Sequence, residues 1–223
     1  MKEAIRKKAL DLGADVCGFA DVKRFIQAPE GFHPRDLYHD CKSVIAIGFA
    51  LPKSLFAVKP DLLYGYFNYL TGPKVDQMAM MLSRIIEDEY SGNAVPVPCD
   101  SPYDYWDSEK MEGRGLISMK HAAVYTGLGT LGKNTLLLNQ KYGNRLTIGA
   151  ILTNLEFESD DYAESICKEG CQLCLKSCPV QALEETSVNQ KLCRNNTYGT
   201  TARGFDTVFC NTCRSICPMR FGE

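Results

Sequence analysis

Apolar residues at Met1, Ile5, Ala9 and Leu12 recur at helical spacing, and Gly13 follows where a helix end favours a residue tolerant of positive φ. The chain is therefore expected to open with a helix, and the next stretch, ADVCGFA, reads as a short strand. Residues 43–52, SVIAIGFALP, form the continuous apolar run of a strand covered on both faces, ended by Pro52. Val75, Ala79, Leu82 and Ile86 mark the inner stripe of a second helix that continues through RIIEDEY, and VPVP after it reads as an edge strand. A third helix is expected over 117–125, then a glycine loop, a fourth helix through NTLLLNQ, and a strand, RLTIGAILT, ending near Thr153. Helices alternating with apolar strands predict a layered α/β (α+β) domain with a central sheet, over residues 1–155.

Between 155 and 166 the pattern stops: EFESDDYAES has five carboxylates and no apolar periodicity, and a domain boundary is expected there. Residues 156–223 have too few large apolar side chains for a core of their own, so something besides hydrophobic burial must hold them.

Composition narrows the class. The 223 residues are 45% hydrophobic and 23% charged, with a formal net charge of -2, an ordinary globular balance without a basic footprint for nucleic acid or a polybasic membrane surface. The longest apolar run, 44–51, is far short of the roughly 20 residues of a membrane-spanning helix. The opening MKEAIRKKALDLG lacks an apolar leader core and reads as mature protein, so a cytoplasmic location is expected. Eleven cysteines then need an explanation, and an odd count clustered toward one end argues for metal rather than a disulfide framework.

Cys167, Cys171, Cys174 and Cys178 follow CxxxCxxCxxxCP, one residue longer in the first gap than the bacterial ferredoxin run. Cys193 precedes CNTCRSICP, which adds Cys210, Cys213 and Cys217 before Pro218. Eight thiolates suit two [4Fe-4S] clusters. A loop with a cysteine every third residue can wrap a cubane, while the fourth cysteine points elsewhere and the proline after it starts a new turn. In two-cluster ferredoxins that fourth cysteine ligates the other cluster. By that logic Cys167, Cys171 and Cys174 join Cys217, and Cys178 joins Cys193, Cys210 and Cys213, in a small two-cluster bacterial-ferredoxin-like domain. Structural zinc is the alternative, since CxxC pairs also bind it. The CxxxCP endings and the count of eight favour iron and sulfide. Cys17 reads as a small core residue, and Cys41 and Cys99 carry no assignment.

GLGTLGKN, residues 127–134, matches GxGxxG, yet the segment before it reads as helix rather than strand. It also matches GxxxxGK, but Asn134 stands where a P-loop needs the hydroxyl that binds magnesium. A structural turn between helices is the plain alternative. Aromatic residues gather at Phe56, Tyr64, Tyr66, Phe67 and Tyr69, and again at Tyr103, Tyr105 and Trp106, as packing residues or as a wall for a flat cofactor. Of the three histidines, only His121, just before the glycine loop, is placed to attract interest.

The block ISMKHAAVYTGLGTLGKNTLLLNQKYGNRLTIGAILTN, the acidic spacer and the two cysteine groups resemble the epoxyqueuosine reductases, corrinoid-dependent iron-sulfur enzymes related in architecture to reductive dehalogenases. The opening IRKKALDLGADVCGFADV is similar as well. The resemblance implies a reductase of that type, in which two clusters relay single electrons to a corrinoid, with flavin as the fallback, for reduction of a small substrate. It implies that Gly127, Gly129, Gly132, Lys133 and Asn134 contact the corrinoid (cobalamin). The family's proton-donating aspartate has no counterpart in the 113–115 stretch, which leaves Asp100, Asp104 and Asp107 as candidates and the catalytic residue unassigned. Family members continue into a helical repeat domain that helps hold tRNA. Ending six residues after Cys217, this chain is expected to be a short form without it, so nucleic acid is not expected as a partner. The partners expected are a small-molecule substrate and a redox donor, protein or small reductant. The rival reading is a non-catalytic ferredoxin-like electron-transfer or accessory protein that docks a partner enzyme.

Overall fold

A computed structural model describes residues 1–58 and 62–223. The helical opening forms α1 (Lys2–Asp11), followed by strand β1 (Val16–Asp21), a single turn α2 (Pro34–Leu37) and β2 (Ser43–Ala50). Helix α3 (Leu62–Tyr90) leads to β3 (Ala94–Val97), and a hairpin β4 (Tyr103–Asp107) and β5 (Glu112–Gly115) precedes α4 (Met119–Tyr125). Two-residue strands β6 (Thr130–Leu131) and β7 (Leu137–Leu138) come before β8 (Leu146–Thr153). The cysteine-rich segment contributes α5 (Leu173–Lys176), α6 (Gln190–Thr197), the hairpin β9 (Tyr198–Thr200) and β10 (Asp206–Val208), and α7 (Thr212–Ser215). No helix among the described residues is long and apolar enough to cross a membrane.

The central sheet runs β1-β2-β8-β3 and every pairing is antiparallel. β2 and β8 pair along their whole length, which sets Ile45 opposite Ile151 and Val44 opposite Leu152. Because side chains alternate, Ile45, Ile47 and Ile151 face α1 and α3, where they meet Ile5, Ala9, Val75, Leu82 and Ile86. Val44, Ala150 and Leu152 face the other way, toward Ile117 and Ala122 on and beside α4. Helices on both faces explain why the two middle strands are apolar almost throughout. VPVP is an edge strand as the sequence implies, with Pro96 on the rim opposite Ile151.

Two elements differ from the pattern reading. The stripe from Val75 belongs to a helix of 29 residues that begins at Leu62 and passes through Pro73, whose ring faces solvent. NTLLLNQ forms no helix. Thr135 takes a positive φ of 58°, and Leu137 and Leu138 are buried as β7 against β6. The propensity of the leucines yields to burial of their side chains under α4 and beside the cysteine segment.

The acidic stretch lies along β1 instead of standing off in water. The Asp160 amide donates to the Phe19 carbonyl (2.9 Å), and the Asp160 carboxylate accepts from the Phe19 amide (2.9 Å). Arg6 (2.9 Å) and Lys2 (2.6 Å) reach the same carboxylate, and Arg24 donates to the Asp160 carbonyl (2.7 Å). Phe157 inserts into the core edge-on to Phe19, their rings 5.1 Å apart. This strap fixes where the cysteine segment starts.

Candidate functional site

The cysteine segment is built of two single turns, the eight-residue helix α6, one hairpin and loops, and its buried cluster is small: Ile166, Cys217 and Met219 against Leu138 of β7. Each cysteine group is arranged alike, with Cys174 and Cys213 inside the turns α5 and α7, which lie against each other. Cys178 and Cys217 then fall just beyond their turns, each followed by proline. Two copies of one local motif packed in this way bring the end of each toward the start of the other.

That crossing is visible in the side chains. Cys167, Cys171 and Cys174 line one concave site together with Cys217, Pro218 and Met219 from the far end of the chain. Burial pushes the Cys174 and Cys217 thiols up, and within this quartet Cys167 and Cys171 push both further. Cys213 is raised to about 11 by burial, against the lowering effect of Arg214, and by Cys193, Cys210 and Cys178. The thiols that feel one another's charge thus form two fours, each made of three cysteines from one group and one from another part of the segment. Among the described residues, no three His, Cys, Asp or Glu side chains converge as a single metal ion requires.

The glycine loop forms a wall of the first quartet's site. Lys133, Asn134 and Leu138 line it beside the four cysteines. Asn134 is buried; its amide donates to the Cys213 carbonyl (3.1 Å) and its oxygen accepts from the Leu136 amide (3.2 Å). Lys133 is half-buried, with Glu185 3.9 Å from its ammonium. The three glycines face the protein's own chain. A Cβ on Gly129 would collide with the Leu138 carbonyl, and one on Gly127 with the Asp161 carbonyl. A Cβ on Gly132 would crowd the Leu138 side chain at 2.8 Å, and Gly129 and Gly132 are buried. A side chain in place of any of the three glycines would therefore strike the protein's own chain.

The last turn, α7, and the tail after Cys217 are docked as firmly. Asn144 and Arg214 exchange hydrogen bonds through their side chains and backbone carbonyls (3.0 and 2.9 Å), and the Glu223 amide donates to the Gln140 carbonyl (2.8 Å). Gly143, at φ 59°, lies against the Arg220 backbone, where any side chain would clash. Asn139 ties this turn to the glycine loop through the Leu128 carbonyl (2.7 Å). The turn signal in NQKYGN was present in the sequence, but nothing in it pointed to the tail.

The remaining candidates separate cleanly. His121 belongs to the capping turn of its own helix, where Ser118 is the N-cap and the His121 ring nitrogen lies 2.7 Å from the Ser118 hydroxyl. Phe56, Tyr64 and Phe221 pack edge-to-face, whereas Tyr66, Phe67 and Tyr69 are exposed on α3. Asp107 accepts from the amides of Glu109 and Lys110 in its own turn, which holds its carboxyl below the usual range, with Lys110 helping. Asp104 is exposed. Asp100 accepts from the Tyr103 hydroxyl (3.3 Å), which in turn accepts from Arg194 (3.2 Å) one residue after Cys193. The Arg194 guanidinium also lies 5.3 Å from the Trp106 ring, itself stacked on Tyr103. Sequence reading missed Arg194 because only the fold brings α6 under the β4–β5 hairpin.

A helix-flanked antiparallel sheet thus carries a cysteine-rich appendage against its loops, with four cysteines lining one concave site. Comparison with known proteins gives the class. The chain is 26% identical, over all of its length and 70% of the relative's, to the epoxyqueuosine reductase of Lactococcus garvieae. It is 33% identical to that of Listeria monocytogenes over 52% of this chain and 33% of that protein. No protein-family model matches the chain. Among solved structures, an epoxyqueuosine reductase with an epoxyqueuosine-modified tRNA-Tyr stem loop superposes with a TM-score of 0.70 at 20% identity, covering 98% of this chain and 65% of that one. A catabolic reductive dehalogenase superposes at 0.66 with 14% identity over 98% of this chain and 32% of that one. These homologues, named reductases, support an enzyme of the oxidoreductase class, and the chain spans between a third and seven tenths of the length of the relatives described.

Proposed function

We propose that the chain is an iron-sulfur reductase of the epoxyqueuosine reductase kind, with two [4Fe-4S] clusters held by the crossed quartets Cys167, Cys171, Cys174, Cys217 and Cys178, Cys193, Cys210, Cys213. The observation that carries this reading is the single concave site shared by three cysteines of the first group and Cys217. In a cubane each thiolate bonds its own iron, so the sulfurs stand apart, whereas a zinc ion draws four to about 2.3 Å from one point. The CxxxCP endings and the count of eight cysteines support the former. Bound, the clusters would supply electrons one at a time. The protein's part is to cross-link two ends of a segment that lacks a core and to keep solvent from Cys174 and Cys217, both buried.

A corrinoid is proposed as the electron acceptor, supported by the dehalogenase neighbours, one of which is described as B12-dependent. By resemblance its candidate contacts are Gly127, Gly129, Gly132, Lys133 and Asn134, of which Lys133 and Asn134 line the cysteine site. Asp100, tied through Tyr103 to Arg194 on α6, is the carboxyl favoured as proton donor. The solved relative with a modified tRNA stem loop makes such a stem loop the first substrate to test, ahead of the small molecule that the net charge of -2 suggests.

Protein made and purified without oxygen is expected to contain about eight iron and eight sulfide per chain, as two cubanes require. Cys217→Ser should remove the cluster shared with Cys167 and leave the other; zinc in place of iron in anaerobic protein overturns the reading.

A further inference from the structure

The glycine loop presses its glycines against the chain itself, and two of its polar residues, Lys133 and Asn134, point to another use. We propose that Lys133 tunes the cluster of the first quartet, its ammonium stabilising the reduced state; this rests on the cluster reading above. Lys133 shares the concave site with Cys167, Cys171, Cys174 and Cys217, and Lys168 is the other cation lining it. Asn134, next in the chain, is fixed to the Cys213 carbonyl, so the backbone that carries Lys133 is anchored to the cysteine segment rather than free to swing. Gly132 and Gly129, pressed on Leu138, hold the other side of the loop.

The charge is available. Among the described residues the Lys133 ammonium makes no hydrogen bond, and its one carboxylate neighbour, Glu185, stands 3.9 Å away and half exposed. Four thiolates around a cubane give a net anion, and each electron added increases that charge by one. A cation held beside it in a half-buried setting favours the reduced form, because attraction between charges is less screened there than in water. Glu185 opposes this effect. The two side chains therefore predict shifts of opposite sign, which a general loosening of the structure would not produce.

The test is a redox titration of anaerobically purified full-length protein, following the reduced clusters by electron paramagnetic resonance, with iron content measured on each sample. Lys133→Gln is expected to lower the ratio of reduced to oxidised cluster about tenfold at the wild-type midpoint, which for one electron is about 59 mV. Lys133→Arg keeps the wild-type value, Glu185→Gln shifts the midpoint upward, and the other cluster stays put in all three. With iron intact, an unshifted Lys133→Gln midpoint overturns the assignment, as do shifts of the same sign in Lys133→Gln and Glu185→Gln. If Lys133→Gln fails to load iron, the Glu185→Gln shift decides: upward supports the assignment, and none overturns it. A wild-type protein without a cubane signal refutes the cluster reading instead, and this inference with it.

Discussion

Asp160 ties the strap that leads into the cysteine segment to both the first helix and strand β1, and Asp160→Ala removes the contacts of its carboxylate while the Arg24 bond to its carbonyl remains. The Phe19 amide loses a charged acceptor at 2.9 Å, a bond of about 1.5–3 kcal/mol. The ion pairs with Lys2 and Arg6 are partly exposed and add no more than about 1 kcal/mol. The total, about 3 kcal/mol, corresponds to roughly a hundredfold in the opening of the strap, at 1.4 kcal/mol per factor of ten. Native-state hydrogen exchange reads this at the amide of position 160, which still donates to the Phe19 carbonyl in the variant and exchanges only when the strap lifts. Despite partial burial, its bonds with Arg6, Lys2 and the Phe19 amide hold the Asp160 carboxyl below its ordinary 3.8. A folded pKa below the unfolded one contributes stability that is fully present above about 4 and is lost as pH falls through the folded value. Strap opening in the wild type should therefore rise steeply on acidification below 4, and the Asp160→Asn profile should stay nearly flat there. Exchange at position 160 that changes less than threefold in Asp160→Ala, or identical acid profiles, would refute the clasp.

Two further outcomes follow from side chains placed by the fold. Arg194→Ala removes the cation beside the protein's one tryptophan and frees Tyr103, so Trp106 emission should shift while that of a Lys191→Ala control does not; an unchanged spectrum contradicts the hairpin clasp. Burial raises Cys17 and Cys99 to about 12 and Cys41 to about 11, leaving at pH 8 only about one thiolate in a thousand or fewer. Alkylation followed by mass mapping of folded protein should find these three unmodified, and their rapid labelling would mean that the sheet domain opens far more readily than its packing implies.

The two middle strands were legible because each is a long apolar run, and burial on both faces leaves no other place for SVIAIGFA or LTIGAILT. That Cys217 lines one site with Cys167, Cys171 and Cys174 agrees with the spacing argument, in which a cysteine set off by three residues and followed by proline points away from its own loop. The acidic strap misleads a composition reading: EFESDDYAES looks solvated, yet two of its residues, Phe157 and Asp160, carry the docking, and two contacts have no period to detect. NTLLLNQ misleads in another way, because leucines favour a helix until α4 and the cysteine segment offer them a place to be buried as a strand. The glycine loop shows where local information ends. Its residue types announce close approach by something, and only tertiary packing shows that Leu138 and the Asp161 carbonyl lie where a Cβ on Gly129, Gly132 or Gly127 would go, because which atoms occupy the space beside a glycine depends on chain segments that its neighbours in sequence do not specify.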